Sequence, residues 1–238
     1  MPAENTDTAR LIYEYFMYQK EVYGNELLLD NPVPEISAAK SKNSAALDEI
    51  EQDVRACAKC RLCKTVTRKV FGGGNKNANL VLIGEAPGRE EDKTGKPFIG
   101  KAGELLNNIL QAIGFSRDEV YMCNVLKCRP PDNRDPESDE IAQCLSFLYR
   151  QIEALDPGII LALGRFAGQT MTNSDSSLKR LRGEIHKYKG IPVVVTYHPA
   201  ALLRDNRKKY YVWEDVQKLR KIYDTIVGDK PEWQPPKK

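Results

Sequence analysis

Cys57 and Cys60 form a CxxC pair, and Cys128 and Cys144 follow at a distance. Four thiolates in this layout can hold a zinc ion or a [4Fe–4S] cluster, and the spacing suits both. Cys63 repeats the CxxC step, but the fourth cysteine and proline of a ferredoxin run are absent nearby, so it reads as a bystander. Cys123 falls in an apolar run and reads as a small buried hydrophobe. Between the cysteine pairs lie Gly-Glu-Ala-Pro-Gly at 84–88 and Pro-Phe-Ile-Gly-Lys-Ala-Gly at 97–103. Loops of this composition read as ligand-binding turns. Asn124 carries an acceptor and two donors on one amide, and Phe98 a flat apolar face. His198 is one of only two histidines; the other, His186, sits beside Lys187 and near Lys189 and reads as inert.

These residues need elements to position them. Residues 79–84 are a short apolar strand running into the first glycine loop, and 119–125, 158–163 and 191–197 are three more. Helical periodicity covers 102–113, 138–155 and 210–227, with a further helix from 45 into Cys57 and a short one after Gly164. Apolar strands alternating with helices predict a parallel sheet covered on both faces. Such sheets bind ligands at the carboxyl ends of their strands. Here those ends are residues 84–86, Asn124, Gly164 and His198, so one site built from several loops is expected. Residues 1–44 read as an amphipathic helix (8–23) and a proline- and serine-bearing linker, 45–228 as the main domain, and 229–238 as a flexible tail.

No apolar run is long enough for a membrane span, and the N-terminus lacks the pattern of a signal peptide, so a soluble cytoplasmic protein is expected. Reduced thiols in that compartment favour metal over disulfides. The net charge of +3 is uneven: residues 1–50 carry four basic and nine acidic side chains, a balance of −5 that leaves +8 for the rest. A modestly basic body suits contact with phosphates.

The constellation of 84–88, 97–103, Asn124, 127–131 (Lys-Cys-Arg-Pro-Pro) and 198–204 (His-Pro-Ala-Ala-Leu-Leu-Arg) closely resembles family 4 uracil-DNA glycosylases, in order and spacing over about residues 53–226. The resemblance implies a three-layer α/β/α sandwich around a four-stranded parallel sheet. It also implies a [4Fe–4S] cluster on Cys57, Cys60, Cys128 and Cys144, and hydrolysis of the N-glycosidic bond of uracil in DNA. A flipped base would stack on Phe98, read its edge on Asn124 and be lined by Glu85, Ala86 and Pro87. Cytosine presents the opposite donor and acceptor pattern, so one oriented amide separates the two. Charge develops on uracil as the bond breaks, and a donor such as His198 stabilises it.

Ala86 stands where the superfamily's best-known branch has an aspartate, and alanine cannot orient water. Glu91 can take that task or crowd the C5 position against thymine, and Asn133 is another site-shaping candidate. Leu202, Leu203 and Arg204 resemble the family's wedge, with Arg207 and Lys208 following as phosphate contacts. The expected partner is uracil-containing DNA, single- or double-stranded, with the protein a monomer and the N-terminal helix a possible dock for a repair or replication partner. Two other readings are a superfamily member that binds or covalently traps uracil-DNA, and an Fe–S electron carrier. The trapping branch carries an arginine-rich insertion that this chain lacks between Cys128 and Cys144.

Overall fold

The computed structural model describes residues 44–231 and 233. The amphipathic helix and linker expected before residue 44 lie outside them. A six-stranded sheet forms the centre. Its strands are β1 (Gly73–Gly74), β2 (Leu80–Gly84), β3 (Tyr121–Asn124), β4 (Ile159–Leu163), β5 (Ile185–Tyr188) and β6 (Ile191–Thr196), in the order β1-β3-β2-β4-β6-β5. The four expected strands are the parallel core, β3-β2-β4-β6. The expectation of a wholly parallel four-stranded sheet is corrected at both edges, where β1 and β5 pair antiparallel.

The core strands are buried on both faces because alternate residues point into two separate apolar clusters. Val81 and Ile83 face one way and Leu80 and Leu82 the other. The first cluster is closed by α1 (Ser44–Ala56), α4 (Ser138–Leu155), α5 (Arg165–Thr172) and α6 (Leu178–Leu181). The second is closed by α3 (Lys101–Ala112), α7 (Pro199–Arg204) and α8 (Lys208–Ile226). A six-residue helix, α2 (Arg89–Thr94), leads out of the first glycine loop. Among the described residues no helix is long and apolar enough to cross a membrane.

The tail departs from expectation, because residues 229–231 and 233 are docked. Tyr223 donates to Asp229 at 2.8 Å, Arg220 to the Pro231 carbonyl at 2.6 Å, and the Trp233 indole to the Ala112 carbonyl at 3.1 Å. These bonds hold the chain over the end of α3.

Candidate active site and cysteine pocket

Register alone begins the site. In the parallel pairing of β2 with β3, Gly84 lies opposite Asn124, each the last residue of its strand. A methyl group on Gly84 would stand 2.4 Å from Asn124 Oδ1 and 2.6 Å from the Phe98 ring, so glycine here lets amide and ring converge. Asn124 is 2 % exposed, and its Oδ1 is the one buried side-chain oxygen or nitrogen among the described residues without a hydrogen-bond partner. Leaving a buried acceptor unpaired costs about 1–3 kcal/mol. An orphan at the carboxyl edge of a parallel sheet points to a ligand that donates to it.

Phe98 is buried, with φ at 50°, a conformation rare for an aromatic residue. Surrounding groups hold it there. Arg117 donates to the Phe98 carbonyl at 2.8 Å and to the Pro97 carbonyl, and also to Asn107 Oδ1 at 3.1 Å. Glu91 Oε1 accepts from the Ile99 and Gly100 N–H groups at 2.9 and 3.1 Å. Gly103 leaves room for the bend, since a methyl there would lie 2.0 Å from the Phe98 carbonyl oxygen. Arg117 was not singled out in the sequence, where nothing ties it to a loop nineteen residues earlier.

His198 follows β6 and caps α7, its Nδ1 accepting from the Ala200 N–H at 3.2 Å. Its ring lies 6.0 Å from that of Phe98, with the planes 29° apart. Burial lowers its pKa to about 4, the nearby Glu91 charge opposing the shift and Arg204 adding to it. The ring is therefore neutral near pH 7. With Nδ1 used as an acceptor, the proton sits on Nε2, leaving that N–H as a donor.

Glu85, half-buried after β2, has its pKa pushed up to about 7 by burial and then by Asp135, against Arg165 and Arg204. The Gly84 and Glu85 carbonyls accept from Val125 and Leu126, extending the β2–β3 ladder into the loop. Ala86 packs on the first apolar cluster and Pro87 is buried. Asn133 is exposed and its oxygen accepts from Arg129 at 2.7 Å, a surface contact within its own loop.

The wedge needs a correction. Leu202 is 1 % exposed and belongs to the second apolar cluster, whereas Leu203 is 53 % exposed. Of the two leucines only Leu203 stands in solvent. Arg204 is exposed, but Arg207 pairs with both oxygens of Asp205, and Lys208 lies 3.8 Å from the same carboxylate. That acidic partner offsets part of the positive charge expected here.

Cys57, Cys60, Cys128 and Cys144 line one pocket with Cys63, Lys59, Lys69 and Phe147. The five cysteines form no disulfide. Burial, then the neighbouring thiols, raises Cys128 to about 12; burial also pushes Cys144 up, against Lys127, whose N–H donates to Cys144 Sγ at 3.4 Å. Converging thiols that cannot ionise together unaided are a donor set suited to a cationic metal group. Cys63 lines the same pocket. The buried Glu140 braces this region, accepting from Arg61, next to Cys60, at 2.9 Å and from Arg134 at 2.6 and 2.9 Å. Cys123, buried in β3, is the expected small hydrophobe.

The uracil DNA glycosylase superfamily model matches residues 71–220. The type-4 uracil-DNA glycosylase of Archaeoglobus fulgidus is 42 % identical over 185 residues, covering 74 % of this chain and 93 % of that protein. The chain belongs to the type-4 branch of this superfamily. The type-4 enzyme of Saccharolobus solfataricus is 45 % identical over 184 residues, covering 73 % of this chain and 85 % of its own. That of Thermotoga maritima is 42 % identical over 178 residues, covering 73 % and 93 %. The superfamily match, residues 71–220, spans the sheet, the strand-end loops and α7.

Proposed function

We propose that this protein is a DNA-repair hydrolase that excises uracil from DNA, cutting the N-glycosidic bond and leaving an abasic site. The unpaired, buried Asn124 Oδ1 carries the reading. Uracil offers an N3–H donor and an O4 acceptor, which one asparagine amide satisfies together, and cytosine offers the reverse. A base reaches such a pocket only by leaving the stack. Phe98 then supplies a rigid face for the pyrimidine. The His198 Nε2–H is the donor for the charge that grows on uracil O2 as the bond breaks, and a neutral imidazole suffices. The sugar cation left behind is reactive enough that water needs positioning more than deprotonation. Glu91 supports the pocket by holding the loop under Phe98.

Cys57, Cys60, Cys128 and Cys144 would hold a [4Fe–4S] cluster, as the donor set and the type-4 relationship support. Ligation by these residues would cross-link the turn at residue 60 to the loop and helix that follow β3. None of the proposed pocket residues is a ligand.

The test is incubation with end-labelled single-stranded DNA containing one uracil, followed by alkali. A strand break at the uracil supports excision. An adduct that survives denaturing electrophoresis would mean trapping, and an intact strand would remove the reading altogether.

A further inference from the structure

Among the described residues three large apolar side chains are strongly exposed: Ile185, Leu203 and Tyr211. Ile185 lies on the β5 edge, but the other two flank the His198 loop, Leu203 on α7 and Tyr211 in the first turn of α8. Leu203 matches the wedge. Tyr211 has no assigned part, yet the fold spends a buried ion pair on fixing it.

Arg182 places its guanidinium 4.7 Å from the centre of the Tyr211 ring and 4.9 Å from that of Tyr197, the residue before His198. It is locked by Asp215 Oδ2 at 2.7 Å and by the Tyr211 carbonyl at 2.7 Å. Asp215 is held in turn by the Thr196 hydroxyl at 2.6 Å, at the end of β6. The Tyr197 and Tyr211 rings lie 6.1 Å apart. Tyr211 is thus backed by a cation and a second ring while 43 % of it stays in solvent. A side chain already ordered loses little rotamer entropy on binding. Lys208 lies 5.6 Å over Tyr197 and Arg204 stands exposed on the same chain segment, while Arg207 and Lys208 share the Asp205 carboxylate.

A fixed aromatic face set among cations is what recognises single-stranded nucleic acid, bases stacking on the ring and phosphates meeting the charges. In a duplex the bases beyond the flipped nucleotide stay paired and stacked, and the faces that flipping opens are those the Leu203 wedge would cover. We infer that Tyr211 stacks an unpaired base beside the flipped nucleotide, so that the strand entering the His198 loop is gripped as a single strand. The inference rests on the uracil-DNA reading for the position of the flipped nucleotide. The cations favour DNA over a protein partner or a second copy of this chain at the same face.

The probe is a fluorescent single-stranded oligonucleotide with a tetrahydrofuran abasic analogue in place of the uracil nucleotide, and the same strand annealed to its complement, with binding read by anisotropy on the full chain. Tyr211→Ala and Tyr211→Leu should weaken single-strand binding about 5- to 100-fold, the range for losing one stacked base, while Tyr211→Phe binds like the parent. Duplex binding should change far less. Arg182 bonds the backbone of residue 211, so its anchor survives these substitutions, and two different replacements guard against one misfolding. Unchanged single-strand binding in both variants overturns the inference, as does an equal loss on single strand and duplex; either leaves the face to another partner. The probe carries no uracil, so this result is independent of strand cleavage by the parent, which tests excision itself.

Discussion

Glu91 separates two accounts of the pocket. As a water-activating base it would need its charge; as a clamp it needs only an acceptor on the Ile99 and Gly100 N–H groups, which the structure shows at 2.9 and 3.1 Å. Hydrogen bonds to a charged group are worth about 1.5–3 kcal/mol each, and Glu91 is partly exposed, so the low end applies and Glu91→Ala should lose about 3 kcal/mol in all. The loop it holds contains Phe98 at φ 50°, a conformation that stores about 1–3 kcal/mol. Without the clamp that strain favours a relaxed loop. At about 2 kcal/mol the competent conformer falls to roughly one part in thirty. Single-turnover excision of uracil should therefore slow about 10- to 100-fold in Glu91→Ala. Glu91→Gln keeps a neutral acceptor of about half the strength and should stay within about tenfold of the parent. If the glutamine variant is as inactive as the alanine variant while its thermal midpoint is unchanged, the carboxylate acts through its charge and the clamp account fails.

His198→Ala should lower the single-turnover rate about 100- to 1000-fold and change binding of uracil-DNA far less; equal losses would remove its transition-state part. The depressed pKa of His198, about 4 against 6.5 unfolded, also has a stability consequence. The neutral ring is compatible with the fold, so its stabilising contribution is whole above pH 6.5 and is lost as pH falls toward 4. Urea denaturation of the parent and His198→Ala should show the parent losing more stability over that interval, and parallel curves would contradict the shift. Cys144→Ser should abolish bound iron and acid-labile sulfide and lower the thermal midpoint; full retention of iron would remove Cys144 from the ligand set.

The parts of this molecule that could be read from the chain are those fixed by local patterns. The runs at 80–83 and 159–163 are apolar throughout because both faces of the strand are buried, and residues 138–155 form the expected helix to the residue. Strand β1 is two glycines, which carry no strand preference, and β5 is an edge strand of half-exposed residues with charged neighbours. The short helices 89–94, 178–181 and 199–204 are below the length at which periodicity speaks. The positions of Asn124 and His198 at or just past strand ends are legible because the apolar strands locate them. The separation of buried Leu202 from exposed Leu203 was not, because it depends on the phase of a helix turn. The clamps made by Arg117 and Glu91 join distant loops, and no local pattern announces them.

One buried amide, whose oxygen lacks a partner on the protein, is the group that selects uracil. Its direct test is the single-turnover rate of base release from two single-stranded oligonucleotides differing only in uracil or cytosine, for the parent and for Asn124→Asp. The parent should release uracil alone. The aspartate side chain can protonate and donate to cytosine N3 while accepting from its amino group, so the variant should gain measurable release of cytosine and lose rate on uracil. A variant that keeps the parent's discrimination would contradict the account.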